Sequence, residues 1–125
     1  MAWKDALAEG EELVLATSAK SGKPNANIVI SKGFYGGKLL INNCQMSATY
    51  KNLAENPSVC LVARKGGQYY RVKGRGQIHA AGKFFEEGLK REKSHKVKAV
   101  IAVSVKEVFD LDKVVKIRLP RSETL

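Results

Sequence analysis

Residues 25–57 read NANIVISKGFYGGKLLINNCQMSATYKNLAENP, and this stretch decides the fold. Two apolar runs flank Gly36-Gly37, a pair suited to a tight hairpin because both central residues can take positive φ. The first run alternates. Ala26, Ile28 and Ile30 point one way, and Asn25, Asn27, Val29 and Ser31 the other. Lys38 to Asn43 returns as the partner strand. Ser47 is a good helix N-cap, since its hydroxyl can accept a hydrogen bond from a free N–H of the first turn. Tyr50, Leu53 and Ala54 give that helix an apolar stripe, and Asn56 before Pro57 ends it. The helix N-terminus lies beside the polar strand ends, where its free N–H groups and dipole favour an anionic group.

Outward from this core the same grammar recurs. Trp3 to Glu9 reads as a short amphipathic helix, stopped at Gly10, and Leu13 to Ser18 as a buried strand. Lys20 to Pro24 is turn chemistry. Val59 to Arg64 is a strand, and Gly66-Gly67 a second hairpin turn. From Gln68 to Ala80 the chain alternates over an unusual length, with Tyr69, Arg71, Lys73, Arg75, Gln77 and His79 on one face. Gly74 and Gly76 on the other face mark a bend or bulge, as when a strand curls round a small barrel. Lys83 to Lys93 reads as a helix buried through Phe84, Phe85, Gly88 and Leu89. Val97 to Phe109 is a long apolar strand, Val114 to Leu119 a short one, and the tail PRSETL is polar and frayed. Six or seven strands joined by hairpin turns, with two or three short helices, make a mainly β protein, a small antiparallel barrel. At 125 residues it is expected to be a single domain.

Composition narrows the function classes. The chain is 44% hydrophobic and 27% charged, has no apolar run long enough to span a bilayer and no signal-peptide pattern, so the cytoplasm is the expected compartment. Cys44 and Cys60 form no CxxC pair, and His79 and His95 stand apart, so neither a disulfide framework nor a metal site is expected. GxGxxG after a strand, GxxxxGK[ST], HExxH and GxSxG are all absent, and no carboxylate pair stands out as an acid–base couple. Any redox chemistry would therefore come from a cofactor, and no catalytic side chain is assigned. The net charge of +10, from 22 Lys plus Arg against 12 Asp plus Glu, favours anionic partners. Six of the nine residues from Lys90 to Lys98 are Lys, Arg or His and read as a solvated basic face.

GKPNANIVI, KLLINN and SATYKNLAENPSVCL, in this order, resemble the pyridoxamine 5′-phosphate oxidase-like family of FMN-binding split barrels. In that family an xGxP turn leads into the first flavin strand, and a helix ending NLxxNPxV leads into the next strand. Tyr70 to Gly74 and Val108 to Asp112 match its later course. The resemblance implies a homodimer with FMN at the subunit interface, acting as an oxidoreductase or electron carrier. It places the phosphate and flavin edge along Asn27, Ile28, Val29 and Lys32. Asn42 and Asn43 would hydrogen-bond the ring, and Ser47, Ala48 and Thr49 would meet the phosphate. Tyr69 stands where some members carry a flavin-contacting glutamine. One departure matters: members commonly place basic residues at the positions of Ala48 and Thr49.

Two other readings remain. The same barrel without flavin could take another ligand, such as haem or a deazaflavin. Alternatively, the ladder Arg71, Lys73 and Arg75 beside Tyr69 and Tyr70 has the mixed cationic and aromatic character of a single-stranded nucleic acid groove, although only Tyr69 shares the basic face.

Overall fold

The computed structural model describes residues 2–44 and 46–120. In chain order the elements are α1 (Ala2–Asp5), β1 (Glu12–Ser18), β2 (Pro24–Tyr35), β3 (Lys38–Asn43), α2 (Ser47–Glu55), β4 (Ser58–Lys65), β5 (Gln68–His79), α3 (Lys83–Arg91), β6 (Ala99–Asp110) and β7 (Val115–Ile117). The strands pair antiparallel in the order β3-β2-β1-β4-β5-β6, and a β3–β6 ladder closes this ring into a six-stranded barrel. The seventh strand, β7, adds to β6 outside the ring. The mainly β split-barrel architecture expected from the sequence is the one observed.

The glycine pairs form the two hairpin turns, with φ of 59° and 78° at Gly36-Gly37 and 58° and 80° at Gly66-Gly67. Closure of a narrow barrel requires sharp bends, and both long strands supply one. The β2–β3 register shifts between Ser31 and Phe34, and the β5–β6 register shifts between Lys73 and Gly74. At Gly74 the backbone runs so close to the Ser104 carbonyl that a Cβ has no room. The barrel is filled by Leu15, Leu39, Ile41, Leu61, Val72 and Ile101, all fully buried. Each such side chain contributes roughly 1.5–3 kcal/mol through removal of apolar surface from water. A second cluster, Leu40, Val97, Val100 and Ala102, lies on the outer wall of β3 and β6, packed against Phe84 and Phe85 of α3.

Several local expectations are corrected. The strand from Leu13 is not buried throughout, because Val14 points outward. The first helix is a single turn, α3 stops at Arg91, and the last strand is confined to Val115–Ile117. Ser47 is the first residue of α2 rather than its cap; Met46 holds the cap position, and no side chain caps the helix. The buried face of α2 is Thr49, Asn52 and Leu53, while Tyr50 and Ala54 are exposed. In α3, Leu89 is exposed. The tail beyond Pro120 lies outside the described residues.

The polar face of β2 turns inward, and the reason is pairing. Thr49 Oγ1 donates to Asn27 Oδ1 at 2.8 Å, and Asn25 Nδ2 donates to the same oxygen at 2.9 Å. Asn52 Nδ2 donates to Thr17 Oγ1 at 3.0 Å, and Ser31 Oγ donates to the Leu7 carbonyl at 2.6 Å. Each polar group has a partner, so burial under α1 and α2 costs little. The apolar residues Ile28 and Ile30 are left facing out.

Helix α3 approaches the barrel through Gly88, where a Cβ would meet the Val100 side chain and come within 2.6 Å of Asn42 Oδ1. Gly88→Ala should therefore destabilise the protein by about 1–3 kcal/mol through overpacking. At an open helical position the same change would gain up to about 1 kcal/mol. Urea unfolding of the variant distinguishes the two, and a raised midpoint would show that the helix has room to move.

Candidate functional site

Where β2, the end of β3 and the segment after α3 meet, they enclose a cleft of about 560 Å³. Ile28, Val29 and Ile30 supply one wall, Asn42, Cys44 and Met46 the floor, and Lys32, Glu92, Ser94 and His95 the polar rim. The rim is anchored by α3. Arg91 Nη1 donates to the Lys32 and Phe34 carbonyls at 2.7 and 3.3 Å, and its Nε donates to Glu87 at 2.8 Å. The chain then turns at Glu92, whose carboxylate gathers the polar groups of the rim.

Glu92 Oε1 lies 3.3 Å from Lys32 Nζ and accepts from Asn42 Nδ2 at 3.3 Å. Its Oε2 accepts from the backbone N–H groups of Lys93 and Ser94, each at 3.2 Å, with His95 Nδ1 at 3.7 Å. Asn42 Nδ2 also donates to the Gly88 carbonyl at 2.9 Å, while Asn42 Oδ1 is buried and has no hydrogen-bond donor. Burial pushes the Glu92 carboxyl up, but the Ser94 amide, Asn42 and Lys32 outweigh it and hold the group at about 2. Burial also raises the Cys44 thiol, reinforced by Glu92 and opposed by Lys32 and Lys98. Cys44 is therefore held in its protonated thiol form near neutrality.

The residues expected from the sequence separate into three groups. Ile28, Val29, Lys32 and Asn42 line the cleft. Ser47 and Ala48 lie exposed on the first turn of α2, directly after the cleft residue Met46, in a turn with no side-chain cap and no acidic residue. Asn27 and Thr49 bond each other beneath that turn, and Thr49 is fully buried. Asn43 shapes the approach to α2, accepting from the Met46 N–H at 2.8 Å and donating to its carbonyl at 3.3 Å. Tyr69 stands on β5, three strands away from β2, with its N–H donating to Asp112 at 2.7 Å. The sequence reading missed Ile30, Cys44, Met46, Glu92, Ser94 and His95. One signal was available for Glu92, the single carboxylate in the run from Lys90 to Lys98.

Because the Glu92 value in the folded protein lies below its ordinary 4.5, its stabilising effect is complete above about pH 4.5 and fades as pH falls towards 2. Glu92→Gln should remove this part of the acid sensitivity, flattening the fall of the urea midpoint between about pH 4.5 and 2. An unchanged acid limb would show that the carboxylate is not held by this pairing.

The family model described as pyridoxamine 5′-phosphate oxidase matches residues 2–121. Comparison with curated proteins found no match. Among solved structures, HupZ of Group A Streptococcus is 19% identical, with a TM-score of 0.76 over 86% of this chain and 90% of that one. A pyridoxamine 5′-phosphate oxidase-related, FMN-binding protein from Nostoc punctiforme is 13% identical, with a TM-score of 0.63 over 87% and 79%. An F420 reductase is 19% identical, with a TM-score of 0.66 over 84% and 94%. At these identities the structural likeness establishes the fold alone. With the family model spanning nearly the whole chain, and a closed barrel carrying the NLxxNPxV helix beside an open cleft, the chain belongs to the pyridoxamine 5′-phosphate oxidase family.

Proposed function

We propose that this chain is a single-domain, cytoplasmic flavoprotein that binds FMN in the cleft beside β2 and works as a homodimeric oxidoreductase or electron carrier. The observation that carries the reading is the cleft itself. Ile28, Val29 and Met46 offer an apolar wall to a flat ring, Lys32 and Asn42 offer polar atoms to its edge, and the uncapped start of α2 adjoins it. These residues fit the group. The first-turn N–H groups of α2 suit a phosphate, since neither a side-chain cap nor a carboxylate competes for them. Ser47 adds a hydroxyl, while Asn27 and Thr49 hold the helix in place.

When bound, FMN supplies hydride or electron exchange. The protein binds and orients. Glu92 neutralises Lys32 and keeps the rim rigid, and its low value leaves it ionised near neutrality, unable to give up a proton there. Cys44 remains a thiol. No side chain of the cleft is assigned as a general acid or base.

The dimer reading rests on the outer wall. Val14 pairs with Ile28 on one side and Val62 on the other, and Val62 pairs with Arg71, so one row of the wall is apolar and ends in a cation. Ile28 is 74% exposed, and Ile30, Val14 and Val62 are exposed with it. Such a patch suits contact with a second copy. Tyr69 is too far round the barrel to reach the cleft of its own chain; Tyr69 of the partner subunit would complete it.

Ala48 stands where the family commonly has a basic residue, and Lys32 is paired with Glu92, and this favours a second reading. A deazaflavin or haem, anchored elsewhere than at a terminal phosphomonoester, would occupy the same cleft.

Quenching of FMN fluorescence on titration with the purified protein tests the first reading. Ala48→Lys should tighten binding about tenfold by adding a charge-assisted contact. Failure of FMN to bind, with haem or a deazaflavin binding instead, would select the second reading. Unchanged or weaker FMN affinity in the lysine variant would place the phosphate away from α2. Val62→Glu should convert the dimer to monomer in sedimentation and weaken FMN binding; a dimer that persists would move the interface to another face.

A further inference from the structure

A second concave site lies on the opposite side of β3 from the cleft rim, where β3, β6 and β5 run side by side. Ser104 of β6 pairs with Arg75 of β5, and on its other flank Lys38, the first residue of β3, donates from Nζ to Ser104 Oγ at 2.5 Å. Gln77 follows Arg75 on the same face of the strand. The register slip at Lys73/Gly74 inserts Lys106 as an extra residue of β6 beside Ser104. These side chains surround a groove of about 480 Å³, and no lining residue is acidic.

The lining of the groove is cationic, with Lys38, Arg75 and Lys106 and no carboxylate. Lys32, Lys65, Lys90, Arg91 and Lys116 each face a carboxylate. Among the described residues no ion pair joins Lys38 or Arg75 to a carboxylate; Lys38 bonds the Ser104 hydroxyl, and Arg75 stands opposite Ser104 across the β5–β6 ladder. Holding two cations on the strands either side of β6 without a counter-charge costs electrostatic free energy, and the chain as a whole is at +10. A bound anion removes that cost. Arg75 presents a planar fork of donors, Lys38 a point charge, and Ser104 and Gln77 neutral polar groups between and beside them. This set matches the several oxygens of a phosphoryl group better than a single carboxylate.

We propose that the Lys38–Arg75–Ser104 groove is an anion site for a small ligand bearing a phosphate chain, separate from the flavin cleft and independent of whether that cleft holds FMN. The groove volume lies within the range of small-molecule sites, and the β-bulge at Gly74 is the local device that opens it.

The test uses inorganic tripolyphosphate as the probe, added to the full chain while backbone amide resonances are followed by NMR. Saturable shifts are expected at Arg75, Gln77 and Ser104, weakening as salt is raised. Arg75→Ala should weaken binding at least about tenfold, the loss expected for one charge-assisted contact, and Lys38→Ala should weaken it similarly. Arg75 is exposed and Lys38 half-buried, and the circular dichroism spectra of the variants check that the barrel is intact. Three outcomes would overturn the proposal: no saturable binding, shifts confined to the start of α2 and the cleft, or equal affinity in the Arg75→Ala protein. A single-stranded oligonucleotide that binds here while tripolyphosphate does not would assign the groove to nucleic acid and likewise overturn it.

Discussion

A sheet of six strands has two edges, and here the β3–β6 ladder, from Leu39–Val103 to Asn43–Ala99, removes both. Everything else in the molecule answers to that closure. The interior is packed by branched and aromatic side chains, Leu15, Leu39, Ile41, Leu61, Val72 and Ile101 among them. The long strands must bend, which they do at Ser31–Phe34 and at Gly74. Closure also fixes which surfaces are left over. The wall of β3 and β6 is taken by α3, the barrel end by α1 and α2, and the apolar row through Ile28, Val14 and Val62 remains in solvent.

The cleft is the junction of these leftovers. It exists because α3, seated through Gly88, directs the following segment back across β2, and Arg91 and Glu92 fasten it there. That arrangement has an electrostatic consequence. Lys32, the one cation of β2, is matched by a carboxylate on the rim, so the cleft is close to neutral despite a chain at +10. A ligand placed there is held by shape, by the polar edge at Asn42 and by the start of α2, more than by net charge. The groove at Arg75 and Lys38, by contrast, is lined by no acidic residue.

Much of the fold was legible in the sequence because it is written locally. Gly36-Gly37 and Gly66-Gly67 specify their turns, Asn56-Pro57 ends α2 within a residue, and the alternation from Gln68 marks the faces of β5 correctly. What was not legible depends on partners distant along the chain. The polar face of β2 looked like the ligand face; in the barrel, Asn27 meets Thr49 and the polar side turns inward, because a hydrogen bond made inside the protein replaces one made to water. Likewise, Glu92 and Lys32 are 60 residues apart (92 − 32), and nothing local announces their pairing. Tyr69 shows the same limit from the other direction: its distance from the cleft follows from strand order, which no short motif encodes.

We propose that the cleft of one barrel, completed by a second copy of the chain, holds FMN. Sedimentation of the FMN-loaded protein, followed at once by protein and by flavin absorbance, tests it most directly. One boundary is expected for both signals, at the mass of two chains, with one flavin per chain. Flavin that fails to sediment with the protein, or that travels with a single chain at full occupancy, would contradict it.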